Sequence, residues 1–348
     1  MRIGIAGLNA LYWPVAMANG LSGKAGVQFL AAATLGESET RIRESLGLTP
    51  AEYATQYHLE LYDQPEEMID REKLDTVVIV SRHTEHAVWV ERLARFGVNI
   101  FIPKTFVTIP QDADRILQAE RQYGIKVAVG PSARYLAPMM AVKRALDDGL
   151  IGEPFSMRVC HHHGTIDAFH SNDWYRDPQE GGPELSLGWY GIDLVLHFMG
   201  DHIAKVFAKY SNYTTPDSPF MDCGRIIMEL GRGGTATFDM YFCNRMDYPS
   251  WQLEIIGPRG VISIHRTDSN STRTLVTLDR PVGRSTLPLP EATPHWEMFW
   301  VDEFLQGQAC SVSAEYAKRV TLISLAARES ARSGQEITLP SQTNMSIR

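Results

Sequence analysis

The run Leu74-Asp75-Thr76-Val77-Val78-Ile79-Val80 constrains this chain most. Its four closing residues are β-branched and apolar, so a strand made of them has no polar face. Such a strand must be covered on both sides, as in a parallel sheet sandwiched between helices. The flanking sequence supplies the covers. Apolar runs at Ile3–Gly7, Val27–Thr34, Val98–Ile102 and Ile125–Val129 read as further strands. Helical patterns fall between them at Leu11–Leu21, Glu37–Leu46, Glu85–Phe96 and Gln111–Tyr123, the last two ended by Gly97 and Gly124. Strands alternating with helices predict a doubly wound parallel sheet.

The rhythm changes after Gly130-Pro131. Ala137–Leu150 is still helical, but the strand-like runs that follow mostly lack intervening helices. They are Phe155–His161, Val206–Asn212, Arg225–Leu230, Thr235–Phe242, Trp251–Ile256 and Val261–His265. Turns are marked at Gly231–Gly234 and Gly257–Gly260. Helices are expected at Glu184–Met199, Trp296–Leu305 and Ala314–Ser333. This is an α+β pattern with a large, mostly antiparallel sheet. A chain of 348 residues exceeds one ordinary core, so two domains are expected, 1–130 and 131–348. The bare face of the second sheet suits self-association, so a homodimer or homotetramer through it is expected.

Composition removes several classes of function. A charge of -8, with no Lys/Arg block, argues against a nucleic-acid partner. The apolar start Met1–Gly7 is too short for a signal peptide or a membrane span. Cys160, Cys223, Cys243 and Cys310 are far apart and show no C-x-x-C spacing. Neither a zinc ribbon nor a disulfide framework is indicated, and a reducing cytoplasm fits.

The first strand leads into Gly7-Leu8-Asn9-Ala10-Leu11-Tyr12 and then a helix. That is the setting of a Rossmann phosphate loop, where a glycine-rich turn brings a helix N-terminus to a pyrophosphate. Here the loop reads G-x-N-x-x-Y. Gly7 permits the tight turn, Asn9 takes the place of the second glycine and Tyr12 that of the third. At the end of the second strand an acid suits the ribose of NAD and a base the phosphate of NADP. The chain reads Ala33-Thr34-Leu35-Gly36-Glu37. Glu37 is near that position, but a carboxylate there also suits the opening of the next helix.

Three further segments carry a family resemblance. Ser81-Arg82-His83-Thr84-Glu85-His86 is similar to a T-P-N-x-x-H turn, with His86 matched. Ile102-Pro103-Lys104-Thr105 is similar to an E-K-P motif, with the lysine kept. Gly181-Gly182-Pro183-Glu184-Leu185-Ser186-Leu187-Gly188-Trp189-Tyr190-Gly191-Ile192-Asp193 is similar to G-G-G-x-x-x-D-x-G-x-H-x-x-D. In it Gly181, Gly182, Gly188 and Asp193 match, while Ser186 and Tyr190 replace Asp and His. Trp174-Tyr175-Arg176-Asp177-Pro178 fits as well. The chain resembles a divergent member of the glucose–fructose oxidoreductase / inositol dehydrogenase / MocA family.

The resemblance implies an NAD- or NADP-dependent oxidoreductase acting on a hydroxyl or keto group of a sugar, cyclitol or related polyol. It implies Lys104 and Tyr190 as the catalytic pair, an ammonium beside a phenol favouring proton exchange. Gly7, Leu8, Asn9, Ala10, Thr34, Ser81, His83, His86 and Lys104 would hold the cofactor. Asp193, His161, His163, His170, Trp174 and Arg176 would meet the substrate. Each has a plainer reading: Lys104 as a solvated lysine, Tyr190 as a packed aromatic, Asp193 as a local cap, His86 as a loop-orienting residue. His161-His162-His163 ends a strand, so His161 and His163 share a face. Such a pair also suits zinc, though a metal is the less favoured reading. Two other functions stay open. One is a non-redox member that cleaves glycosides using bound cofactor or metal. The other is an inactive binding or regulatory protein, a reading favoured by Asn9, Tyr12 and Pro103.

Overall fold

The structure, a computed structural model, describes residues 1–164, 174–200, 202–215, 218–243, 250–265, 274–291 and 295–340. Along the chain run β1 (Arg2–Ala6), α1 (Trp13–Leu21), β2 (Gln28–Ala33), α2 (Glu39–Leu46), α3 (Pro50–Tyr57) and β3 (Glu60–Tyr62). Then come α4 (Pro65–Glu72), β4 (Thr76–Ile79), α5 (His86–Ala94), β5 (Asn99–Pro103), α6 (Pro110–Tyr123) and β6 (Val127–Gly130). The six strands form one sheet in the order β3-β2-β1-β4-β5-β6, every pair parallel. All four residues of β4 are buried, as a strand with Val77, Val78 and Ile79 divided between its two faces requires. The expected strands and helices are all present. Added to them are α3, β3 and α4, in a stretch where no element was expected. Helix α3 is closed by a capping box: the Thr49 hydroxyl accepts from the Glu52 amide, and the Glu52 carboxylate accepts from the Thr49 amide.

The later elements are α7 (Ala137–Asp147), β7 (Ser156–His162), α8 (Gly182–Met199), β8 (Ile203–Ser211), β9 (Cys223–Leu230) and β10 (Thr235–Tyr241). They continue with β11 (Ser250–Gly257), β12 (Gly260–His265), β13 (Leu275–Arg280), β14 (Gly283–Thr286), α9 (Phe299–Leu305), α10 (Ala314–Ser333) and β15 (Ile337–Thr338). The second sheet has nine strands, ordered β14-β13-β12-β11-β7-β10-β9-β8-β15. Every pair is antiparallel except β7 with β10. Strand β9 alternates buried and exposed residues, so this sheet has one packed face and one open one. On the packed face α8 comes close to β10: a Cβ on Gly191 would stand 2.1 Å from the Phe238 ring.

By contacts the chain divides into two units. The first holds Met1–Pro131, His170–Gly181 and Pro294–Thr321; the second holds Ser132–Phe169, Gly182–Thr293 and Leu322–Arg348. A two-block division at residue 130 would have placed 170–181 and 294–321 in the second. Among the described residues no helix is long and apolar enough to cross a membrane.

Candidate functional site

In the first unit β1 and β4 are neighbours, but the sheet grows from β1 toward β2 and from β4 toward β5. At such a switch point the strand ends open a crevice. A cavity of about 270 Å³ is lined by the residues that leave β1, β2 and β4, among them Gly7, Leu8, Asn9, Glu37, Ser81 and Arg82. Gly7 is required here. Its φ is +105°, and a Cβ would stand 1.9 Å from the Val80 carbonyl oxygen. Asn9 is tied at two points. Its Nδ2 donates to Glu37 Oε2 at 2.7 Å, and its carbonyl accepts from Trp174 Nε1 at 2.7 Å. Tyr12 is 52% exposed, with its ring centroid 4.7 Å from that of Trp13. Turning outward is how a large side chain is tolerated at the third glycine position. Leu8 and Ala10 are buried, and the Thr34 hydroxyl accepts from the Gly36 amide, bracing the end of β2.

Two buried histidines brace the loop after β4. Burial lowers the His83 pKa to about 3 and the His86 pKa to about 4, so both rings are neutral near pH 7. His83 Nδ1 donates to the Glu180 carbonyl at 2.7 Å, and His86 Nδ1 to the Phe106 carbonyl at 2.8 Å. The Glu180 carboxylate accepts from the Thr84 amide and hydroxyl. Trp174 and Tyr175 meet the His83 ring edge-on at 5.2 and 5.4 Å. His83 and His86 are thus both buried and hydrogen-bonded to backbone carbonyls of neighbouring segments.

Lys104 follows the last residue of β5 and is buried. Desolvation lowers its pKa to about 7. Its Nζ lies 5.9 Å from the Trp13 ring centroid. Beside it the Thr105 hydroxyl is buried and has no hydrogen-bond partner among the described residues, a polar atom left for a bound group to satisfy. The cavity at the switch point and the glycine turn on its wall fit the phosphate end of a dinucleotide.

In the second unit Tyr190, on α8, is buried against aromatic rings from the sheet. It meets His161 at 5.6 Å and Trp251 at 5.8 Å, both edge-on. The His161 ring lies flat on Trp251 at 3.8 Å, because β7 and β11 pair those two residues directly. His163 contacts His161 edge-on at 5.2 Å and stacks on Phe242 at 4.9 Å. Among the described residues no group of three or more His, Cys, Asp or Glu is placed to hold a metal ion.

Asp193, Trp174, Arg176 and His170 complete the expected substrate set. Asp193 is fully buried, with Ser132 Oγ donating to one oxygen and Arg134 Nη2 to the other. Trp174 belongs to the first unit and holds the phosphate loop. Arg176 is exposed, and His170 lies outside the described residues. Sequence reasoning missed Trp251, Phe242, Arg134 and Glu180. Nothing local marks the first three, whose partners come from distant strands and turns.

Comparison with known proteins agrees with this geometry. Residues 2–131 match the oxidoreductase family with an NAD-binding Rossmann fold, and residues 139–263 match the GFO/IDH/MocA C-terminal domain. The chain belongs to the GFO/IDH/MocA family. A relative in Bacillus subtilis, YteT, is 30% identical over 162 residues, 45% of this chain and 37% of that protein. The inositol 2-dehydrogenase/D-chiro-inositol 3-dehydrogenase of Halalkalibacterium halodurans is 26% identical over 227 residues, 64% of this chain and 63% of that one. The match thus spans less than two thirds of each of these curated relatives. An oxidoreductase from Agrobacterium radiobacter, crystallised with NAD+, L-tartaric acid and magnesium, shares the fold. Its TM-score is 0.80, with 19% identity over 97% of this chain and 98% of that one.

Proposed function

We propose that this chain is an NAD(P)-dependent oxidoreductase acting on a hydroxyl or keto group of a sugar, cyclitol or related polyol. The observation that carries the reading is Lys104, a buried lysine at the end of β5 with a pKa of about 7. A lysine so placed gives and takes a proton at neutral pH, which an exposed one does not. Gly7, Leu8, Asn9 and Ser81 line the cavity that would hold the cofactor. When bound, its nicotinamide supplies the hydride-accepting carbon. The chain handles the proton. Lys104 accepts one from a hydroxyl as it is oxidised and returns one to a carbonyl as it is reduced. In the second unit the Tyr190 hydroxyl hydrogen-bonds the reacting oxygen and steadies the charge that builds on it. The rings of Trp251 and Phe242 with His161 and His163 offer the mix of flat apolar faces and polar edges that suits a sugar. The inositol dehydrogenase relative and the tartaric acid of the Agrobacterium structure, both polyhydroxylated cases, support that substrate class. We further place the protein in the cytoplasm, as a homodimer or homotetramer using the open face of the second sheet.

The test is nicotinamide absorbance on the full chain with NAD+ or NADP+ and a panel of sugars and cyclitols. Turnover is expected. Tyr190→Phe should lower kcat by roughly 10²–10³-fold while leaving NADH affinity unchanged. Absence of turnover across the panel, together with no binding of either reduced nucleotide, overturns the reading.

A further inference from the structure

We infer that Glu180 is a positioning residue for cofactor binding, which caps from 96 residues away in sequence the turn at the wall of the cofactor cavity. The inference rests on the oxidoreductase reading and refines it. Ser81, Arg82 and Glu85 line the cavity. Between them runs a 3-10 turn, His83–Glu85, that leads into α5. The start of a helical turn leaves its first amides without partners inside the turn. The side chain of the residue before the turn commonly takes one of them, but Arg82, which holds that place, makes no such bond. Glu180 supplies it. Its carboxylate accepts from the Thr84 amide at 3.1 Å and from the Thr84 hydroxyl at 2.7 Å. Its carbonyl accepts from His83 Nδ1 at 2.7 Å.

Glu180 does not itself line the cavity, so it acts through the turn. It is 2% exposed, and a buried carboxylate is costly unless it is hydrogen-bonded. Burial pushes its carboxyl above the ordinary carboxylate value, against the bonds from Thr84 and His83 that favour the charge. What the cost secures is a fixed backbone at the cavity wall. Arg82 sits at φ -57°, within the range that a proline ring locks, and has no ring to hold it there. The Glu85 amide closes the turn onto the Arg82 carbonyl at 3.0 Å, a bond that proline at this position would keep. Glu180 thus supplies from a distant segment a constraint that residue 82 does not supply locally. Its own segment is braced in turn. The Asp177 carboxylate accepts from the Gln179 amide at 2.9 Å and caps the 3-10 turn Pro178–Glu180. Trp174, in the same segment, donates to the Asn9 carbonyl on another part of the cavity wall.

The experiment is nicotinamide fluorescence titration of the full chain, using whichever of NADH and NADPH wild type binds more tightly. The variants are Glu180→Ala, Glu180→Gln, Arg82→Pro and the double variant Arg82→Pro/Glu180→Ala, and thermal melting checks that each is folded. Glu180→Ala should raise the Kd about tenfold, the equivalent of one charge-assisted hydrogen bond. Glu180→Gln, whose amide oxygen still accepts from Thr84, should raise it about threefold, a neutral acceptor being weaker than a charged one. Arg82→Pro takes an arginine from the cavity wall, so its own Kd is the reference for the double variant. On that background Glu180→Ala should cost about threefold or less, because the ring supplies the lost constraint. A Kd unmoved in folded Glu180→Ala, with only the melting temperature lowered, marks a merely structural residue and overturns the inference. An equal loss of affinity on both backgrounds also overturns it. Where Glu180→Ala does not melt cooperatively, a Kd unmoved by Glu180→Gln does the same. These outcomes leave the oxidoreductase reading intact. Binding of neither nucleotide to folded wild type overturns both.

Discussion

Replacing Lys104 by methionine should stabilise the protein by an amount that depends on pH. In the unfolded chain this lysine keeps its proton up to about pH 10.5, while in the folded chain burial releases it near pH 7. Between these values the unfolded state binds one more proton than the folded state. Wild-type stability therefore rises with pH across that window, by about 1.4 kcal/mol per pH unit. Below pH 7 the folded protein carries the full cost of a buried ammonium. Over 3.5 pH units that is about 5 kcal/mol. Methionine has similar reach and no charge, so Lys104→Met removes this cost. Packing differences between the two side chains shift the comparison by a constant and leave its slope alone. Urea unfolding of both proteins, followed by tryptophan fluorescence from about pH 6 to about pH 10, measures the difference. The advantage of Lys104→Met should be largest at the acid end and shrink steadily above pH 7. A difference that stays flat across the range would refute the reasoning. Lys104 would then titrate as an ordinary lysine, and its part as a neutral-pH proton carrier would fall with it.

Gly7→Ala forces a side chain against the Val80 carbonyl at a left-handed φ. It should cost roughly 2–4 kcal/mol and abolish NADH binding, and an unchanged melting temperature would show that the β1–β4 crossing accommodates a side chain. Asp193→Asn leaves the buried Arg134 guanidinium without its counter-charge. A loss of about 3–5 kcal/mol in urea unfolding is expected, and a loss under about 1 kcal/mol would mean that Ser132 and packing hold this turn instead.

Much of the architecture was legible because it is written in local periods. The β-branched run at β4 allows only a strand covered on both faces, and the alternation around it allows only a parallel sheet. Gly7 could be singled out from its place after the first strand, and Lys104 from its place after β5. The stretch holding α3, β3 and α4 was not read. Its two helices have eight residues each, too few for a firm amphipathic period. The Thr49–Glu52 capping box, visible as T-x-x-E, was the signal available.

By itself the sequence determined the strand and helix order, the phosphate-loop setting and the lysine at a strand end. Those depend on neighbours within a few residues, where backbone sterics and side-chain periodicity act. Tertiary structure alone decided what those residues became. Trp174 reaches the Asn9 carbonyl across 165 residues, and Arg134 reaches Asp193 across 59. His161 meets Trp251 only through the β7–β11 register. Desolvation of Lys104 likewise comes from packing of the folded chain around β5. Such pairings and burials follow from strand order and chain return, which no local pattern encodes.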